Sequence, residues 1–287
     1  MAILLAVLSS LCFGTALVTG RVGLRALDAR SGAAISIPSA TVLFILAAPF
    51  ALDITGYNVN AAMMFAAVGL FFPAIVTLLT FRSNERLGPT VTSAASGTAP
   101  LFALVAASLL LGEKVPAEAA VAAVGVVAGV GLLSWQQDAT QSRFAGWALL
   151  WPVSGAAVRG LAQVGAKAGL LLWPNPFVAS LIGYLISSAV VLGANRLGRT
   201  TRPAFTKEGV SWFAVTGVLN GGAVLLMYAA FSMAPVSVIA PIVAAYPLIT
   251  TLVSALVLRE DALTARKAAG AAITVAAIVY LVASRTA

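Results

Sequence analysis

Five residues of one apolar stretch recur at every fourth position: Trp151, Gly155, Arg159, Gln163 and Lys167. On a helix that spacing lays them along one face as a slowly twisting stripe. Arg159 falls near the midpoint of residues 144–170, and a charge at that depth of an apolar helix is by default a candidate functional group. Its guanidinium is a planar fork of donors that fits a carboxylate bidentately. Gln163 adds an amide that both donates and accepts. Lys167, about two turns further on, has two readings: a second substrate-holding cation, or an ammonium that snorkels to the interface. Arg159 has its own plain alternative, a structural cation bonded to helix-end carbonyls.

A second group of candidates is defined by an internal offset of 147 residues, which pairs Val91 with Val238, Pro100 with Pro247, Leu101 with Leu248, Leu109 with Leu256, Leu111 with Leu258 and Glu113 with Glu260 in one ungapped register. Intramembrane proline frees a carbonyl and kinks its helix, so Pro100 and Pro247 are expected hinges. Asn220 lies midway along residues 209–231 and precedes Gly221-Gly222, a pair that permits close helix approach or local unwinding. Its offset partner is Pro73, also a helix weakener. Opposed helix breaks at mid-depth mark transport sites, which makes Asn220 a polar contact and Pro73 and Gly221 further hinges. Trp151, Tyr228 and Tyr246 are expected to wall a cavity, with Phe71 and Phe72 as weaker candidates.

Equally informative is the chemistry that is missing. The chain has no histidine, and none of its nine acidic residues falls at mid-depth of an apolar stretch. That removes the usual general base and metal ligand, so no metal and no cofactor is expected. It also disfavours a polytopic enzyme acting on lipid-linked substrates and a cation antiporter, which needs a buried carboxylate. Cys12 sits alone in an apolar run and forms no intrachain disulfide. Hydrophobic residues make up 61% of the chain, charged residues 9%, and the mean hydropathy is +1.02. A soluble domain carries about 25% charge, so lipid is the solvent here. The net charge of +8 comes from basic residues scattered through short loops, which excludes a nucleic-acid partner.

Apolar runs of bilayer length place ten spans at residues 2–20, 33–52, 60–81, 89–112, 117–135, 144–170, 177–194, 209–231, 236–258 and 266–284. Residues 2–20 lack the positive flank and cleavage pattern of a signal peptide and read as the first span. The fold class is therefore all-α membrane protein, with residues 1–135 as a first five-helix repeat, 136–143 as a polar linker and 144–287 as a second repeat. An odd number of spans per half makes the repeats inverted. Spans five and ten are rich in Ala, Gly and Val, including Gly125 and Gly129, and look like packing or dimer surfaces, so the chain is a monomer or a homodimer through them. Loops after the odd-numbered spans hold about 13 of the 17 Lys and Arg, which puts both termini outside the cell. Glu113, before Lys114-Val115-Pro116, is expected to brace the start of the following helix.

Two five-span halves whose fourth spans end in Leu111-Gly112-Glu113-Lys114 and Leu258-Arg259-Glu260-Asp261 resemble the drug/metabolite transporter superfamily, and within it the EamA-type ten-helix transporters. Pro100 and Pro247 fit the same pattern. The resemblance covers nearly the whole chain and implies a central cavity lined by spans one to four and six to nine. It also implies termini inside the cell, against the charge count, and the first span has Cys12-Phe13-Gly14 where many relatives carry Trp-Gly. The expected function is a secondary transporter of a bacterial inner membrane that exports amino acids or similar small metabolites by alternating access. Arg159, Gln163, Asn220, Trp151, Tyr228, Tyr246 and Lys167 are its expected substrate contacts. A phosphorylated-sugar or nucleotide-sugar exchanger is the rival within transporters, and a non-transporting receptor or scaffold the rival outside them.

Overall fold

The computed structural model describes residues 1–134, 150–197, 205–258 and 264–284. The linker 136–143, Glu260 and the basic residues Arg199 and Arg202 lie outside them. Within them the regular structure is helical throughout. In chain order it comprises α1 (Ala2–Gly23), α2 (Ala29–Ala51), α3 (Val59–Phe71), α4 (Ala74–Ser96), α5 (Ala99–Leu111) and α6 (Ala117–Ser134). Then follow α7 (Leu150–Leu172), α8 (Pro176–Leu197), α9 (Lys207–Met233), α10 (Val236–Val243), α11 (Tyr246–Val253), a single π-helical turn (Ser254–Leu258) and α12 (Ala265–Ala283). Short polar side chains start several of these helices by accepting from their free amides. Asp28 caps α2, Asn58 caps α3, Thr206 caps α9 and Thr264 caps α12.

Among the described residues seven stretches are long and apolar enough to cross a membrane. Large apolar side chains face outward along them, with Phe50, Leu109 and Leu256 at 94%, 78% and 71% exposure. Water would not tolerate such a surface, and lipid does. One stretch, Val59–Leu111, is 53 residues long, more than twice what a bilayer needs. It folds back at Gly88, whose φ of 78° and ψ of 170° lie outside helical space. The hydroxyls of Ser83 and Thr92 are 2.9 Å apart across that bend, whereas nine residues of straight helix rise about 14 Å. Gly88 is there because a side chain disfavours a positive φ, and Pro89 starts the returning leg.

The expected single helices at 60–81, 89–112 and 236–258 are each interrupted. Phe72, extended at φ −129° and ψ 124°, separates α3 from α4 ahead of Pro73. Gly97 and Thr98 separate α4 from α5, and Ala244 and Ala245 separate α10 from α11. The expected break at Asn220 is absent: α9 runs unbroken through it. Its glycines serve close packing instead. A Cβ on Gly217 would run into the carbonyl of Ser36, and one on Gly221 would crowd Ala40 and Phe44, so α9 lies against α2 at backbone distance. Gly221 is therefore a contact point, not a hinge.

α1 packs on α9, α9 on α2, α2 on α8 and α8 on α3, while α7 sits inside against α3, α4 and α5. α6 and α12 pack on each other. Gly125 meets Ala277, and Gly129 meets Gly270 and Thr274, so this small-residue stripe is used within the chain.

Candidate functional site

Arg159 enters the middle of the bundle because its own helix is cut away beside it. Gly160 lies against Ala99, Phe102 and Ala103 of α5, close enough that a Cβ would collide with backbone. The stripe Gly155, Arg159, Gln163 and Lys167 is buried, as its spacing implies, and Arg159 is only 9% exposed. Its guanidinium carbon lies 5.1 Å from the centre of the Phe13 ring, 5.7 Å from Tyr246 and 5.9 Å from Phe72. Each ring arrives for a local reason. Gly14 lets α11 approach α1, so that Phe13 and Tyr246 lie with ring centres 6.2 Å apart. Phe72 occupies the extended residue between α3 and α4.

Three ring faces within about 6 Å stabilise a cation, each by up to about 2 kcal/mol where water is excluded. They do not use its N–H groups. The Nε of Arg159 is buried without a hydrogen-bond partner. Burying a charge costs several kcal/mol when no opposite charge compensates it. The group is thus held in place yet left with unspent donors, a state an anionic ligand would relieve.

Arg159 lines a small cavity of about 30 Å³ that is partly open to the outside. Besides Arg159 it is lined by Phe13, Ala16 and Leu17 of α1, Thr77, Thr80 and Phe81 of α4, Asn220 of α9 and Tyr246 of α11. Such a volume holds only a water or two, well below a small-molecule site, so a substrate would need the bundle to open around Arg159. Its polar groups are a guanidinium, an amide and hydroxyls. None of the lining residues is acidic, and among the described residues no cluster of potential metal ligands occurs.

The other expected site residues divide. Asn220 and Tyr246 line the cavity. Gln163, one turn beyond Arg159, is buried with its Nε2 3.5 Å from the Met227 sulfur and its Oε1 without a partner. Lys167 neither reaches the cavity nor snorkels. It donates to the carbonyls of Phe231 (2.6 Å) and Ala234 (3.2 Å) at the end of α9, the structural role weighed for Arg159. Trp151 is also displaced: it packs under Arg82, 5.2 Å from ring centre to guanidinium carbon, at the start of α7. Tyr228 is buried and stacked on Phe231 outside the lining. Glu113 braces a different helix from the one expected. Its carboxylate accepts from Val236 N (3.3 Å) and Ser237 N (3.4 Å) at the start of α10. Pro100 and Pro247 are each the second residue of the helix that follows an interruption, and Pro73 follows the break at Phe72.

Phe13, Thr77, Thr80 and Tyr184 were missed by sequence reasoning. Phe13 stood next to the Gly14 that its neighbours need. Tyr184 hides a hydroxyl with no partner, fully buried on α8 against Phe44. Its company of Ser180, Ser187 and Ser188 in an otherwise apolar stretch was the available signal.

Long apolar helices with outward-facing apolar side chains around a small polar cavity mark a multi-pass membrane protein. The chain belongs to the EamA-like transporter family, which it matches over residues 1–135 and 146–283. No curated protein matches the sequence. One solved crystal structure shares the fold with a TM-score of 0.76 at 17% identity, over 99% of this chain and 98% of that one.

Proposed function

We propose that this protein is a secondary transporter that exports amino acids or similar small carboxylate-bearing metabolites across a bacterial inner membrane by alternating access. The observation that carries this reading is Arg159, buried beneath three rings with an unpartnered Nε and lining a small cavity. Its guanidinium would grip the carboxylate, Asn220 would bind a second polar group, and Phe13 and Tyr246 would flank the rest. Gln163 and Tyr184 would serve ligand atoms that extend one turn deeper.

The architecture we infer is ten crossings in two inverted five-helix repeats. The bend at Gly88 supports counting Val59–Leu111 twice. Support for the repeat comes from the two interruptions. Gly97 (φ −63°, ψ −10°) and Ala244 (φ −68°, ψ −4°) stand 147 residues apart in nearly the same conformation. So do Thr98 (φ −75°, ψ −8°) and Ala245 (φ −75°, ψ −2°). The amide of Thr98 bonds the carbonyl of Ala95, and that of Ala245 bonds Ile242, again at the same offset. A rocking motion about these paired interruptions would expose the cavity to alternate sides.

A phosphate substrate would need a second cation, and Lys167 lies outside the cavity lining with two of its three donors on α9 carbonyls. That favours a carboxylate over a sugar phosphate. Counterflow in proteoliposomes against an amino-acid panel and a sugar-phosphate panel tests the choice. Exchange with carboxylates that is lost in Arg159→Gln is the expected result, and exchange only with phosphates overturns it.

A further inference from the structure

Among the described residues, every acidic side chain lies away from the cavity. Asp28 caps α2, Glu113 caps α10, Asp53 sits between α2 and α3 and bonds Thr55 N, and Glu208 belongs to the first turn of α9. Glu85 is exposed and Glu118 half-buried, both near helix ends. The lining therefore carries one positive charge and no negative one. We propose that the transported species is a small organic monoanion with an apolar body, in preference to a zwitterion, a dianion or a neutral molecule. This rests on the reading of Arg159 as the substrate anchor and, within the carboxylates proposed above, sets simple organic acids ahead of the amino acids.

The reasoning is electrostatic. A monoanion cancels the buried guanidinium and leaves the loaded cavity neutral, which removes the cost of an uncompensated interior charge. A zwitterion brings its own ammonium into the same space. That ammonium would find only the neutral side-chain oxygens of Asn220, Thr77, Thr80 and Tyr246, and ring faces already turned toward a guanidinium. It would sit beside a like charge, in surroundings that screen poorly. A dianion would leave one negative charge unpaired, because the next cation along α7 is bonded to carbonyls. The apolar half of the lining, from Phe13, Ala16, Leu17 and Phe81, suits a hydrocarbon body in character once the cavity opens and offers a sugar few partners.

The test uses the full chain in proteoliposomes and three isosteric probes: isocaproate, leucine and isocaproamide. Half-saturation by isocaproate at a concentration about tenfold or more below that of leucine is expected, with the amide inactive, from the usual strength of a charged hydrogen-bonded pair. A second variant reverses the charge balance without touching the anchor. Asn220→Asp places a carboxylate in the cavity and should shift the preference toward leucine by about tenfold relative to wild type. Leucine preferred over isocaproate by the wild type, with both lost in Arg159→Gln, overturns the monoanion proposal and leaves the anchor reading standing. Transport of all three probes unchanged by Arg159→Gln overturns both. Should Arg159→Gln fail to accumulate, Asn220→Asp decides alone: no change in the ratio of the two acids counts against the proposal.

Discussion

The hydroxyls of Thr41 on α2 and Ser188 on α8 are 2.7 Å apart, and the two residues stand 147 positions from one another. That separation is the offset of the internal repeat. Residues that correspond in two symmetric halves touch only where the symmetry axis passes between them. In the two-repeat architecture proposed above, the contact is what a twofold axis running between α2 and α8 would produce. The packing of α6 on α12, the last helices of the two halves, is a second contact of this kind. Each rests on small groups: hydroxyls that also reach the carbonyls of Ile37 and Tyr184 in the first, glycines in the second.

If Thr41 and Ser188 hold the halves together as one unit, their removal should be non-additive. Thr41→Val and Ser188→Ala should each destabilise the protein by about 1 kcal/mol, and the double variant by clearly less than the sum. Thermal unfolding in detergent, completed as a double-mutant cycle, measures this. Strict additivity would mean that the hydroxyls act separately and that the contact is incidental.

The paired interruptions carry a kinetic expectation. Pro100 and Pro247 occupy the second position of α5 and α11, each just past two residues whose amides reach back to form tight turns. Alanine at either position permits helix to propagate backward through the interruption. Exchange rates should fall several-fold with little change in half-saturating concentration, as expected of a gating residue. Unchanged rates in both variants would mark the interruptions as rigid.

How much of this was legible in the chain depends on the range of the interaction involved. The helices, the offset of 147 and the buried stripe of α7 are local or periodic, and the sequence carries them. Arg159 was legible as a candidate for the same reason, since a charge in an apolar run stands out, although Lys167 in the same run turns out to be bonded to helix-end carbonyls. Its surroundings were not: Phe13, Phe72 and Tyr246 come from three other segments and meet only through packing. The stripe itself misled at its ends. Trp151 and Lys167 each lie eight residues from Arg159, about 12 Å along the axis, further than the cavity reaches. The Asn220-Gly221-Gly222 run was ambiguous, because glycine serves close approach as well as unwinding, and only the nearness of Ser36 and Ala40 decides between them.

Orientation follows from charge. Loops after the odd-numbered spans hold about 13 of the 17 basic residues, which predicts a C-terminus outside the cytoplasm. A C-terminal fusion to a reporter active only in the cytoplasm should give no signal. Strong signal would favour the opposite orientation, the one implied by the family resemblance.

Lys167 should behave as a structural residue. Its ammonium bonds two carbonyls at the C-terminal end of α9, where a cation also suits the helix dipole, while Glu113 caps α10 across the same turn. Lys167→Met leaves those carbonyls buried and unpaired, at a cost of about 1–3 kcal/mol. The expected result is a lower unfolding temperature with an unchanged half-saturating concentration for substrate. A large loss of affinity in well-folded Lys167→Met protein would return Lys167 to the binding site.

Arg159 offers the most direct test of how the site works. Its charge is only partly offset by ring faces and its Nε is unpartnered, so substitution separates charge from geometry. Arg159→Lys keeps the positive charge but replaces two parallel donors with a point charge on a flexible stem. Affinity for a carboxylate should fall about tenfold or more, with normal protein yield. Arg159→Gln should abolish binding, because no other cation lines the cavity. The wild type carries a further signature. Its empty cavity holds an uncompensated cation, so reorientation without substrate should be slow and exchange between two loaded states fast. Counterflow should therefore exceed net efflux several-fold, and Arg159→Gln, having no charge to compensate, should lose that difference along with binding. Equal rates of exchange and net efflux in the wild type would mean that the buried charge does not limit the return step, and that the aromatic faces alone suffice to carry it.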